Sequence, residues 1–77
     1  MAELTDEQLR ALLMLARSPN GCTEALLMAH GFELAMLGQL VLGGLAVAVD
    51  HSTMAGRRRI KVTWLRITAA GRKAIAE

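Results

Sequence analysis

The chain has 77 residues, of which 53% are apolar and only two, Phe32 and Trp64, are aromatic, and its net charge is +2. One proline and one cysteine, Cys22, exclude a disulfide scaffold and a long low-complexity tail, and the aliphatic content excludes intrinsic disorder. That content also exceeds what a small core absorbs, because a domain of this size buries only about 60–65% of the surface its unfolded chain exposes.

The first helix has a full set of start signals. Thr5 and Gln8 form a capping box, Asp6 and Glu7 occupy the first turn, and Leu4 and Leu9 stand at the positions of a hydrophobic staple. It runs to about Arg17, with Leu9, Leu12, Leu13 and Ala16 recurring at helical spacing as the buried stripe. Ser18, Pro19, Asn20 and Gly21 end it. Thr23 then caps a short second helix over residues 24–30, with Cys22 and Leu27 at the staple positions and Gly31 as a C′ residue of positive φ. Cys22 reads as a small hydrophobe, because no histidine or basic residue near it in sequence would activate a thiolate. An unpaired thiol predicts a reducing, cytoplasmic setting, and the acidic opening of the chain lacks the basic start of a secretory leader.

Helical spacing resumes at Glu33. It places Leu34, Leu37, Leu40 and Val41 inward and leaves Glu33, Ala35, Met36, Gly38, Gln39, Leu42 and Gly43 outward, with Glu33 unfavourable toward any phosphate. Phe32 fills the angle between the two helices, and Gly43-Gly44 stops the third. Residues 34–49 hold Gln39 as their only polar side chain, but a helix of that length reaches about 24 Å against a hydrocarbon core of about 30 Å, so no membrane span is predicted.

Leu45, Val47 and Val49 alternate with Ala46, Ala48 and Asp50, which reads as a half-buried strand. Residues 51–58 read as a loop. A second strand, from Arg59 or Ile60 to Ile67, pairs antiparallel with the first. Leu65 and Ile67 suit the core on one face, leaving Ile60, Val62 and Trp64 together on the other. Thr68 caps a terminal helix from Ala69 to about Ala76. The expected architecture is a single α+β domain over residues 1–77, mostly α. His30 and His51 lack metal-ligand spacing and Cys22 has no CxxC partner, so no metal site, cofactor or enzymatic activity is expected.

This order of helix, helix-turn-helix, β-hairpin and helix resembles the winged helix-turn-helix domains of MarR-like bacterial transcriptional regulators over nearly the whole chain. The residues that carry the resemblance are Gly31-Phe32, then Leu37, Leu40, Val41, Gly44 and Leu45, and finally Ile67-Thr68 with Gly71-Arg72 after the hairpin. It implies three helices, a two-stranded β-hairpin wing and a short C-terminal helix. It also implies binding of double-stranded DNA, with helix 3 in the major groove and the wing on the phosphates or in the minor groove. Arg57, Arg58 and Arg59 then stand at the wing tip, Lys61 and Arg66 extend the footprint, and Gln39 is the helix 3 residue suited to a base edge.

Charge distribution points the same way. Residues 1–40 carry a balance of −3 and residues 41–77 a balance of +5, which suggests an anionic partner for the second half. Helix 3 departs from the family pattern in having no outward Arg or Lys. Dimerisation departs as well, because MarR-like proteins use long terminal helices that are short here. A homodimer or a protein partner would instead use apolar patches: Ile60, Val62 and Trp64 on the hairpin, and Met36 and Leu42 outside helix 3. The sequence thus poses two functions, a small DNA-binding regulator and a protein-interaction module on the same scaffold.

Overall fold

The computed structural model describes residues 4–76; Met1, Ala2, Glu3 and Glu77 lie outside the described residues. Along the chain run α1 (Asp6–Ala16), β1 (Cys22–Thr23), α2 (Glu24–Ala29), α3 (Leu34–Leu42), β2 (Ala46–Ala55), β3 (Arg58–Ile67) and α4 (Ala69–Ile75). The strands form one antiparallel sheet in the order β1-β3-β2.

Local chemistry sets the helix ends. Thr5 Oγ1 accepts from the Gln8 N–H at 3.1 Å while Gln8 Oε1 accepts from the Thr5 N–H at 3.0 Å, which completes the capping box of α1. Thr23 caps α2 by a single bond, its Oγ1 accepting from the Leu26 N–H at 3.1 Å. Both α2 and α3 end in Schellman geometry. Gly31 donates to Met28 O and Phe32 to Leu27 O; Gly44 donates to Val41 O and Leu45 to Leu40 O. The two glycines hold φ at +93° and +76°. Phe32 is drawn back over the core by this turn and packs against it half-buried.

Two helices are rotated from the phase expected of them. On α1 the buried residues are Ala11, Leu12 and Leu15, while Leu9 and Leu13 are exposed. On α3 the buried residues are Met36, Leu37 and Leu40; Val41 is half-buried, and Leu34 is 52% exposed. Residues 11–16 of α1 are apolar without exception and α3 has Gln39 as its only polar side chain, so periodicity fixes the helix but not which stripe faces inward. Mutual packing decides it. Met36 turns toward α1 and is only 8% exposed.

The sheet also differs from expectation. A third strand, β1, pairs Cys22 with Leu65 and Thr23 with Trp64. Gly21 makes that approach feasible: its φ is +89°, and a Cβ there would strike the Leu65 carbonyl oxygen. The hairpin is longer as well. Residues 51–55 and Arg58, expected in a loop, continue the ladder from Ala46 opposite Ile67 to Ala55 opposite Arg58 without a break. Only Gly56 and Arg57 form the turn. Gly56 has φ +65° and Arg57 does not have positive φ, the sign pattern of a type II′ hairpin turn. With two strands of ten residues each, the fold is mixed α+β rather than mostly helical, and its sheet is three-stranded rather than two-stranded.

The core lies between the helices and one face of this sheet. Leu12, Leu15, Leu27, Leu37 and Leu40 are its largest fully buried side chains, joined from the sheet by Cys22, Ala46 and Leu65. Cys22 behaves as the small hydrophobe expected, its thiol donating to Ser18 Oγ at 3.3 Å. The hairpin outruns the core: residues 50–61 are all exposed, and the molecule extends 47 × 22 × 20 Å. Among the described residues no helix is long and apolar enough to cross a membrane.

Candidate functional site

Strand pairing assigns each hairpin residue to a face, because residues directly opposite one another point to the same side. Leu65, Ile67, Ala46 and Ala48 share the inner face that rests on the helices, together with Asp50, Thr63, Lys61 and Arg59. The outer face carries Val47, Val49 and His51 on β2 and Arg58, Ile60, Val62, Trp64 and Arg66 on β3.

The basic residues divide into two groups. Arg57 sits in the turn, Arg58 and Arg59 are opposite Ala55 and Met54, and Lys61 is opposite Ser52. All four are exposed at the free end of the hairpin, pointing to both faces and to the tip. No residue from 51 to 66 is acidic. Arg66 stands apart. It is opposite Val47, nine residues from Arg57, a separation of about 30 Å along an extended strand.

Gln39 is exposed on α3 but in different surroundings. It borders a recess of about 500 Å³ between α3 and the start of α1, shared with Asp6, Glu7, Arg10 and Glu33. Three carboxylates and one guanidinium make that recess net acidic. Glu33 is the N-cap residue of α3 and makes no side-chain capping bond. The helix that the resemblance would put in the major groove therefore presents no cation, and acids flank it.

The apolar patches are partly as expected. Ile60 is exposed and Val62 and Trp64 are half-buried on the outer face, where Val49 opposite Trp64 and Val47 opposite Arg66 add to them. Leu42 is 89% exposed. Met36 is a correction: its side chain belongs to the core and cannot contribute to a surface patch. Leu34, expected inside, takes its place at the surface. It joins Leu42, Val41 and Ala48 around an apolar groove of about 370 Å³ between α3 and the inner face of the sheet.

A recess on the outer face, about 380 Å³, is lined by Asn20, Val49, His51, Trp64 and Arg66. Of these, Trp64 and Arg66 are the two that the sequence marks as candidate site residues. Asn20 joins them because β1 docks on β3, a long-range pairing with no local signature. Among the described residues no group of three or more His, Cys, Asp or Glu side chains is placed to hold a metal ion. The chain matches no family model, and neither curated proteins nor solved structures give a match to it.

Proposed function

We propose that this chain is a winged helix-turn-helix domain that binds double-stranded DNA, as a small regulator, through its hairpin tip. One observation carries the reading: four cations, Arg57, Arg58, Arg59 and Lys61, are exposed together at the end of an arm with no acid beyond Asp50. Guanidiniums on such an arm can bridge phosphates from either side or enter a narrow minor groove, and they need no base contact to do so. Helix α3 has one side chain suited to reading a base, Gln39, and a net acidic recess beside it. Binding is therefore dominated by phosphate contacts and tolerant of sequence. The test is a fluorescence-anisotropy titration of a labelled duplex at low and at physiological salt, with wild type and with Arg57, Arg58 and Arg59 all replaced by Ala. Absence of binding at low salt, or affinity indifferent to the triple replacement, refutes the proposal.

A protein-docking role rests on a separate observation, the exposure of Leu42 and Leu34 beside the apolar groove. In that reading α3 faces a protein and the arm alone meets DNA or nothing. Leu42→Arg separates the two: a cation added on a helix that lies against DNA raises duplex affinity, and one added on a helix turned away from it does not.

A further inference from the structure

The strand order leaves β2 with one neighbour and a free edge along its ten residues. Such an edge offers unpaired N–H and C=O groups to any strand that approaches, and folded proteins commonly blunt it with lysine, proline or a bulge. The two free edges of this sheet differ in that respect. Beyond its short pairing with β1, β3 carries Arg58, Arg59 and Lys61. Strand β2 carries Asp50 as its one formal charge, has no proline, and pairs with β3 without a bulge.

We propose that β2 is the edge through which two copies of this chain pair, antiparallel, about a two-fold axis normal to the sheet and centred on His51. Antiparallel neighbours related by such an axis keep like faces on the same side, so each residue must oppose one of like parity. Centring on Asp50 sets two carboxylates directly opposite, which is unfavourable. A shift of one residue opposes Asp50 with the hydroxyl of Ser52 in both directions and still pairs the strand from Val47 to Ala55.

The main chain suits this register. In a hairpin closed by a two-residue turn the flanking pair, here Ala55 and Arg58, exchanges both main-chain bonds. Alternation then turns the N–H and C=O groups of Ala48, Asp50, Ser52 and Met54 outward. His51 meets its own copy in a non-hydrogen-bonded position, with Cα atoms about 4.5 Å apart. The charges permit it: antiparallel pairing puts the basic tips of the two copies at opposite ends of the joint ladder, where they do not meet. On the outer face, Val49 of each copy falls opposite Thr53 of the other and Val47 opposite Ala55, so β-branched and small side chains meet across the joint.

Analytical ultracentrifugation of the full chain across the micromolar range is expected to show a monomer–dimer equilibrium. Ser52→Pro, which removes an outward N–H, and Met54→Lys, which adds a charge to the edge, should each shift it to monomer with the far-UV circular dichroism unchanged. His51→Cys should oxidise to a covalent dimer roughly tenfold faster than Thr53→Cys, which is exposed on the same face but opposes Val49 of the second copy. A wild type that stays monomeric at the highest concentration overturns the proposal. So does a folded Met54→Lys that remains dimeric, or equal cross-linking of the two cysteine variants. None of these readouts depends on DNA.

Discussion

Thr68 Oγ1 donates a 2.6 Å hydrogen bond to the Gly44 carbonyl, joining the start of α4 to the turn that ends α3. The same oxygen accepts from the Gly71 N–H at 3.0 Å, and the Thr68 N–H donates to Leu45 O at 3.1 Å. One hydroxyl therefore both caps a helix and fixes its position. Thr68→Ala loses both roles, and the expected destabilisation is about 2 kcal/mol, the sum of a cap and a tertiary bond of about 1 kcal/mol each. Urea unfolding followed by Trp64 fluorescence measures it; a loss below half of that shows the anchor to be dispensable.

Gly71 and Gly31 separate two reasons for a glycine. Gly71 is buried, and a Cβ there would strike the Leu45 carbonyl oxygen and the Ile67 side chain, although its φ is not positive. Gly31 has φ +93° and open space around it. Gly31→Ala should cost about 1 kcal/mol, the ordinary penalty of a left-handed backbone. Gly71→Ala should cost about 1–3 kcal/mol through overpacking and should loosen α4 from the body. Amide exchange resolves them: Gly71→Ala should speed exchange in residues 72–76, and Gly31→Ala should not.

Met36 and Leu42 lie on the same helix with opposite fates. Met36→Ala empties a core position and should cost about 2–5 kcal/mol. Leu42→Ala removes a side chain that touches mostly water and should change stability by no more than about 0.5 kcal/mol. Thermal or urea midpoints check both, and a large loss at Leu42 would mean that a second molecule covers it under the assay conditions.

The phosphate-binding reading makes a quantitative claim about salt. Each phosphate contact contributes about −0.9 to the slope of log K against log salt. Replacing Arg57, Arg58 and Arg59 by Ala should therefore flatten that slope by about 2.7. Arg66→Ala should leave it unchanged, because Arg66 lies well down the strand from the tip. If Arg66→Ala flattens the slope as much as a tip replacement, the duplex lies along the outer face instead.

Much of this fold is written locally. The caps at Thr5, Thr23 and Thr68 and the stops at Gly31 and Gly44 are all where side-chain chemistry and glycine placement put them. What escaped local reading depends on partners far away in the chain. The inward face of α3 is chosen by α1, which draws Met36 in and releases Leu34. Strand β1 exists only because β3 is beside it. Ser52 and Thr53 look like loop residues by composition, yet Lys61 and Ile60 opposite them continue the ladder. For the candidate site, the basic tip was legible because a run of arginines needs no tertiary context. Of the acidic surroundings of Gln39 only Glu33 is legible, since Asp6 and Glu7 join it only when α1 and α3 pack.

The exposed span from residue 50 to residue 61 has a further consequence. Its order rests on the main-chain ladder and on few side chains, of which the Thr63 hydroxyl bonded to Asp50 at 2.8 Å is one anchor near its base. Stability must therefore fall along the arm, with amides near the tip opening at a small fraction of the free energy needed to unfold the helices. The cations that would meet a phosphate thus ride on an arm that opens more readily than the packed helices. They can adjust to the curvature of what they touch without disturbing the core, and binding pays for that freedom by stiffening the arm.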